Sequence, residues 1–274
     1  MEWFQALILG LVQGLTEFLP VSSSGHLMLV KELLGVDGEG FLDFTVAVHF
    51  ATVLSTLVVF WKVIRDLLKG LFQFKYNDQT DYVCKIFVSM IPVAVVGLFF
   101  KDKVESLFGN GLAVVGVCLL VTAVLLYLSD YLTARIKYTN NYRNGISYWQ
   151  AFVVGVAQAF AVAPGLSRSG TTIATGLVAG VKRENMAQFS FLMVLIPIIG
   201  EQLLDGLDLV LAPAEGVAVA SVGAVPLLTG ALAAFVSGLF ACKVMVSIVR
   251  KAKLKWFALY CAVVGLAILA SCIF

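Results

Sequence analysis

The chain has 274 residues, 60% of them hydrophobic and only 13% charged, with a mean hydropathy of +0.96 and a net charge of +2. A soluble domain is nearer half apolar and a quarter charged, so the composition excludes a soluble globular protein and points to an α-helical integral membrane protein. The near-neutral balance gives no reason to expect nucleic acid as a partner. Five scattered cysteines with no CxxC or metal spacing read as small apolar packing residues.

The first apolar segment, 3–35, lacks the basic start and cleavage site of a signal peptide, so it is expected to be retained. It is interrupted at Pro20 and the run Ser22-Ser23-Ser24. Each half has about 14–17 residues, too short to cross a hydrocarbon core of about 30 Å comfortably. Spans are predicted next at 44–62, 83–100 and 111–129. A second interrupted segment, 149–181, breaks at Pro164-Gly165 and Ser167-Arg168-Ser169-Gly170. Three further spans are predicted at 188–205, 221–241 and 256–273. The interrupted segments read as re-entrant hairpins that enter and leave on one side. The expected fold is therefore an all-α polytopic membrane protein, one membrane domain over 1–274 with six transmembrane helices and two re-entrant helical hairpins.

Charge supports this layout. With the 62–85 loop inside, 15 of the 19 Lys and Arg residues fall inside; only Lys31, Lys101 and Lys103 fall outside, and Arg168 lies in the membrane. That agrees with the positive-inside rule and places both termini outside. If either interrupted segment crossed fully, basic loops would land on the wrong side.

A shift of 145 residues aligns the two interrupted segments. Ala6, Gly10, Gln13, Ser22, Ser24 and Gly25 match Ala151, Gly155, Gln158, Ser167, Ser169 and Gly170. Three spans separate the hairpins, so the copies, about 1–129 and 145–274, are expected to form an inverted-topology repeat. The copies differ where the chemistry is sharpest: Glu17 aligns with Val162, Ser23 with Arg168 and His26 with Thr171.

Charged groups inside a membrane are costly, about 2.5–3.5 kcal/mol each on insertion scales, and usually have a task and a partner. Glu17, His26 and Arg168 supply a carboxylate, an imidazole and a guanidinium, a set suited to phosphate. The second helix of each hairpin should begin near its serines, which are good N-caps. Two helix N-termini facing each other favour an anion, and Arg168 adds a fork for phosphate oxygens or pairs with Glu17. Gln13 and Glu17, four residues apart on one helix face, suit Mg²⁺ or Ca²⁺; alternatively Glu17 orients His26. His26 follows the serines within one turn, and a Ser hydroxyl beside His is the usual activated nucleophile. Ser23 and Ser24 are equal candidates by reach, and all three serines also have a capping role open to them. His49 reads as a satisfied interior histidine and Glu201 as a group reaching water at a span end. Trp3, Trp61, Trp149 and Trp256 fit interfacial anchors, and the run Arg250 to Lys255 a membrane-surface patch.

Two motifs carry a resemblance: Gln13, Glu17 and Ser22-Ser23-Ser24-Gly25-His26, then Pro164, Gly165, Ser167, Arg168, Ser169 and Thr172. The chain resembles the undecaprenyl-diphosphate phosphatase family, also called bacitracin resistance proteins. The likeness spans nearly the whole chain, including the FSFLMVLIP run from Phe189. It implies removal of the terminal phosphate from a C55 isoprenoid diphosphate, a divalent cation, a bacterial inner-membrane location with an outward-facing site, and bacitracin resistance. It also implies catalytic roles for Glu17 and His26, Ser23 as nucleophile and Arg168 as phosphate clamp. Gln13 stands where many members have Glu, which weakens a two-carboxylate cation site. Membrane acid phosphatases of the PAP2 type share SSGH-like and SRS-like runs, but no histidine follows Arg168 here, so their histidine nucleophile is absent.

The expected site joins Glu17, Ser23, His26 and Arg168 with Ser22, Ser24, Gly25, Ser167, Ser169, Gly170 and Thr172 around the diphosphate. The attacking group is Ser23 or an ordered water. Expected partners are undecaprenyl diphosphate and bilayer lipids, with a homodimer left open. A lipid flippase or ion-coupled transporter is the rival function, since inverted repeats with opposed hairpins are transporter architecture.

Overall fold

A computed structural model describes residues 1–36, 40–100, 111–136, 142–200, 222–251 and 253–273. The described residues are helical throughout, without strands. In chain order they form α1 (Trp3–Phe18), α2 (Ser23–Leu33), α3 (Phe41–Val59), α4 (Trp61–Leu71), α5 (Asp78–Phe99), α6 (Gly111–Thr133), a short 3₁₀ turn (Arg143–Gly145), α7 (Tyr148–Phe160), α8 (Arg168–Val178), α9 (Arg183–Met193), α10 (Ala224–Lys251) and α11 (Lys255–Ile273). Five of these, α3, α5, α6, α10 and α11, are long and apolar enough to cross a membrane.

The remaining expected span, 188–205, begins in α9, which stops at Met193; a turn at Val194 precedes helical residues 195–200. Pro197 explains the break, because a proline ring clashes with the carbonyl four residues earlier, here that of Met193. The end of that span, with Glu201, lies outside the described residues, as do Lys101, Lys103 and Lys137. The 62–85 stretch, expected as a loop, holds α4. This short helix carries Lys62, Arg65 and Lys69 together with the exposed Trp61 and Leu68, the composition of a helix lying in an interface. Trp3, Trp149 and Trp256 are exposed at helix starts, as interfacial anchors are.

Each interrupted segment is a helix pair. α1 ends before Pro20, whose ring pushes Leu19 into extended backbone (φ −74°, ψ 144°). α2 begins at Ser23 with Ser22 as N-cap, and α8 begins at Arg168 with Ser167 as N-cap. In both, the capping hydroxyl accepts a hydrogen bond from a glycine N–H, Gly25 at 3.3 Å and Gly170 at 3.1 Å.

The 145-residue offset recurs in three dimensions. Gln5 Nε2 donates to the Leu34 carbonyl at 3.1 Å, and Gln150 Nε2 to the Ala179 carbonyl at 2.8 Å. Both arms of each hairpin are thus tied at the open end. α1 packs on α10 and α7 packs on α5, each against a helix of the other half of the chain. A Cβ on Gly10 would collide with the Gly230 backbone, and one on Gly155 with the Ser89 backbone. These close helix approaches are the small-residue packing that membrane helices favour. At the tips, Gly25 faces Gly165 and Gly170 faces Pro20, the counterpart of Gly165 under the same shift. α6 and α11 cross at Gly116 and Gly265, each meeting the other's carbonyl.

At the basic end of the molecule, Asp130 at the foot of α6 accepts from the guanidinium of Arg183 and from the Lys255 backbone N–H at 2.8 Å. Lys85, counted above as a loop charge, is buried in α5. It pairs with Asp81 at 2.6 Å and donates to the Arg143 carbonyl at 2.8 Å. A buried charge needs such partners.

Candidate active site

The two hairpin tips meet, and Glu17 is the centre of what they build. Its Oε2 accepts from Ser23 Oγ at 2.5 Å and from Gln13 Nε2 at 2.9 Å. Its Oε1 accepts from Arg168 Nη2 at 3.2 Å, across 151 residues of chain. The Glu17 side chain is only 9% exposed and that of Arg168 30%, so the guanidinium keeps an open face. Ser169 Oγ donates to the Leu19 carbonyl at 3.1 Å, fastening the second tip to the first.

The serines separate by geometry. Ser23 holds the carboxylate, whereas Ser24 Oγ turns to Ser22 Oγ at 3.4 Å. Ser22 has φ 70°, a strained conformation for a residue with a Cβ. Its carbonyl accepts from His26 through the backbone N–H at 3.2 Å and through Nδ1 at 2.7 Å. A carbonyl can only accept, so Nδ1 carries the proton and Nε2 accepts from Tyr260 Oη at 2.8 Å. The two rings stack with centroids 5.6 Å apart. The expectation that His26 reaches a serine hydroxyl does not match this geometry. Both ring nitrogens have other partners, and Glu17 is the base in contact with Ser23. The reason is local: Nδ1 reaches the carbonyl four residues back, a competing bond that histidine in a first helical turn makes easily.

The other candidates fall into two groups. Ser167 Oγ lies 3.5 Å from Ser169 Oγ, and the Ser167 N–H donates to Thr122 Oγ1 at 3.1 Å. Thr172 Oγ1 donates to the Arg168 carbonyl at 2.9 Å and shares a 2.7 Å hydrogen bond with Ser190 Oγ. Gly25 and Gly170 serve by giving up N–H groups to the caps. Ser22, Ser167 and Thr172 are buried structural groups, while Ser23, Ser169 and Arg168 keep partial exposure.

A narrow cavity of about 30 Å³ opens beside the pair, lined by Glu17, Arg168, Ser169 and Thr172 together with Thr52, Thr56, Gln158 and Ser190. Sequence patterning did not single out these last four. Gln158 was legible as the repeat partner of Gln13. Thr52 and Thr56 stand on α3 one and two turns after His49, a polar stripe on an otherwise apolar helix, which is a recognisable signal. His49, expected as an interior histidine, turns Nε2 to within 3.9 Å of Glu17 Oε2 while Nδ1 bonds the Thr45 carbonyl at 2.8 Å. Tyr260 had no sequence signal at all.

Among the described residues no group of three or more His, Cys, Asp or Glu side chains gathers. The Gln13 Oε1, however, is buried without a hydrogen-bond partner beside Glu17. That amide presents its nitrogen to Glu17; turned over, it would set a carbonyl oxygen beside the carboxylate, hard-oxygen chemistry that fits Mg²⁺ or Ca²⁺ once phosphate oxygens complete the shell.

The chain matches the family described as bacitracin resistance protein BacA over residues 6–267. It is 55% identical to an undecaprenyl-diphosphatase of Bacteroides fragilis, over 97% of this chain and 96% of that protein. It is 56% identical to one of Parabacteroides distasonis, over 98% of each. A more distant relative of the same name, from Halothermothrix orenii, is 39% identical over 98% of each chain. With its motifs on the two hairpin tips and the match running through nearly every helix, the chain belongs to the bacitracin resistance protein family.

Proposed function

We propose that this chain is an integral membrane phosphatase. It hydrolyses undecaprenyl diphosphate to undecaprenyl phosphate and inorganic phosphate, returning the lipid carrier to cell-wall synthesis and giving resistance to bacitracin. The observation that carries the mechanism is one carboxylate, Glu17, holding both the Ser23 hydroxyl and the Arg168 guanidinium.

Ser23 Oγ attacks the terminal phosphorus, and its proton passes to Glu17 Oε2, which already accepts it. The bond from that phosphorus to the bridging oxygen breaks and undecaprenyl phosphate leaves. Water then attacks the phosphoserine, the P–Oγ bond breaks, Glu17 returns a proton to Oγ, and inorganic phosphate departs. An ordered water held by Ser23 and Glu17 is the alternative attacking group, and trapping phosphate on Ser23 decides between them. Arg168, with Ser169 and the first N–H groups of α8, holds the phosphoryl oxygens; transfer of this kind depends on positioning and charge. A divalent cation, held by Glu17 and the Gln13 carbonyl, would offset charge on the diphosphate. His26 holds the entry to α2 through the Ser22 carbonyl and links it to Tyr260.

In the membrane, α1–α2 and α7–α8 act as re-entrant hairpins among six spans, and the halves 1–129 and 145–274 are inverted-topology copies in one domain. The matching ties of Gln5 and Gln150 and the reciprocal tip contacts support this. The basic end faces the cytoplasm of a bacterial inner membrane, the site opens outward, and the isoprenoid tail lies in the bilayer. Purified protein is expected to release phosphate from an isoprenoid diphosphate. Glu17→Ala, His26→Ala and Arg168→Ala should each abolish release, and full activity in Glu17→Ala or Arg168→Ala overturns the mechanism.

A further inference from the structure

His49 is one of only two histidines in the chain, and the mechanism above does not use it. Its ring is fixed: Nδ1 donates to the Thr45 carbonyl at 2.8 Å, so Nε2 carries the lone pair. That lone pair faces Glu17 Oε2 at 3.9 Å. A backbone carbonyl on the far nitrogen is the usual support of a metal-ligating histidine, because it fixes the tautomer and the ring plane.

The gap is informative. At 3.9 Å the two atoms make no hydrogen bond, yet they lie closer than twice a metal–ligand bond of about 2.1 Å. One ion between them touches both. Gln13 completes the same corner. Its amide nitrogen is 2.9 Å from Glu17 Oε2 and its Oε1 is orphaned. Turning the amide over exchanges these atoms and brings a carbonyl oxygen against a carboxylate, which is repulsive unless a cation lies between. An imidazolium at His49 is the competing account. It has no lone pair on Nε2 and cannot ligate a metal, so a nitrogen readout at the ion separates the two.

We propose that His49 Nε2 is a ligand of the divalent cation, joining Glu17 Oε2 and the Gln13 carbonyl in a nitrogen-containing site. This rests on the cation role given above to Glu17 and Gln13. An imidazole ligand favours Mn²⁺, Zn²⁺ and similar ions over Ca²⁺, which takes oxygen.

The probe is Mn²⁺ bound to the metal-stripped full-length protein in nanodiscs, read by electron spin-echo modulation and by paramagnetic titration. Wild type is expected to show ¹⁴N modulation from one imidazole. The pattern should change to that of ¹⁵N when the chain is made with ¹⁵N-histidine, a readout that needs no substitution. His49→Gln should lose the modulation and weaken Mn²⁺ about 10-fold, and His26→Ala should retain it. Bound Mn²⁺ without nitrogen modulation, or modulation that survives His49→Gln, overturns the ligand assignment. Wild type that binds no Mn²⁺ but still releases phosphate overturns the ligand and leaves the phosphatase reading standing. Mn²⁺ bound through His49 with no phosphate release does the reverse.

Discussion

The two hairpin tips share a plan, although Ser22 caps at φ 70° and Ser167 at φ −67°, and they divide the chemistry. Residues 19–26 and 164–171 both turn, cap a helix with a serine and press a glycine on the opposite tip. The first tip, with α1, carries the carboxylate, the hydroxyl and the imidazole; the second carries the guanidinium. A scaffold related by one shift supplies two facing helix N-termini, which suit an anion, and the unmatched side chains make that anion site reactive.

Removing the cross-tip pair should break this comparison most severely. Arg168→Ala is expected to lower phosphate release about 10³-fold or more, as loss of a phosphoryl clamp does elsewhere. Glu17→Ala should fall as far, and the double variant little further, because the two groups act as one unit. Steady-state phosphate release on all three variants measures it; additive losses would separate the tips. Next, Ser23→Ala should cost at least about 10²-fold while Ser24→Ala stays within a few-fold, since only Ser23 touches Glu17. Equal losses would return both serines to a capping role.

The shared scaffold can be tested without chemistry. Gly10→Val and Gly155→Val should each destabilise the fold by about 1–3 kcal/mol, because each forces a side chain into a facing backbone. Gly97→Ala, with no heavy atom within 4 Å of the added carbon, should be near neutral. Thermal unfolding in detergent compares the three, and unequal losses at Gly10 and Gly155 would weaken the repeat. A milder loss of activity than at Ser23 is expected for Tyr260→Phe. It keeps the stack on His26 but removes the hydrogen bond, and should slow turnover about 10-fold. The same variant with unchanged turnover would make the clamp on His26 purely structural.

Much of this was legible in the sequence because a membrane makes polar residues conspicuous. Glu17, Arg168 and the serines stood out against apolar flanks, and the 145-residue shift located the tips. Helix starts at Ser23 and Arg168 followed from capping chemistry. What escaped depended on contacts between distant helices. Tyr260 meets His26 across 234 residues, and no local pattern announces that pairing. His49 looked like an ordinary interior histidine, since one ring nitrogen does bond its own helix; the other required knowing where α3 lies against α1. α4 was hidden because a short amphipathic helix with four charged residues reads as a polar loop in a hydropathy profile.

The path of the chain has a consequence for biosynthesis. α1 rests on α10, and the tyrosine that clamps His26 lies on α11, 234 residues further along the chain. Until α10 and α11 are made, the amino-terminal hairpin has α3 and α6 beside it but lacks its most extensive partner, and the imidazole has no clamp. The His26 clamp therefore closes only after Tyr260 has been made, whereas Glu17, Ser23 and Arg168 are all in the chain long before. A nascent polypeptide stalled short of residue 255 would sit in the bilayer with its acid and its arginine present but its histidine unclamped.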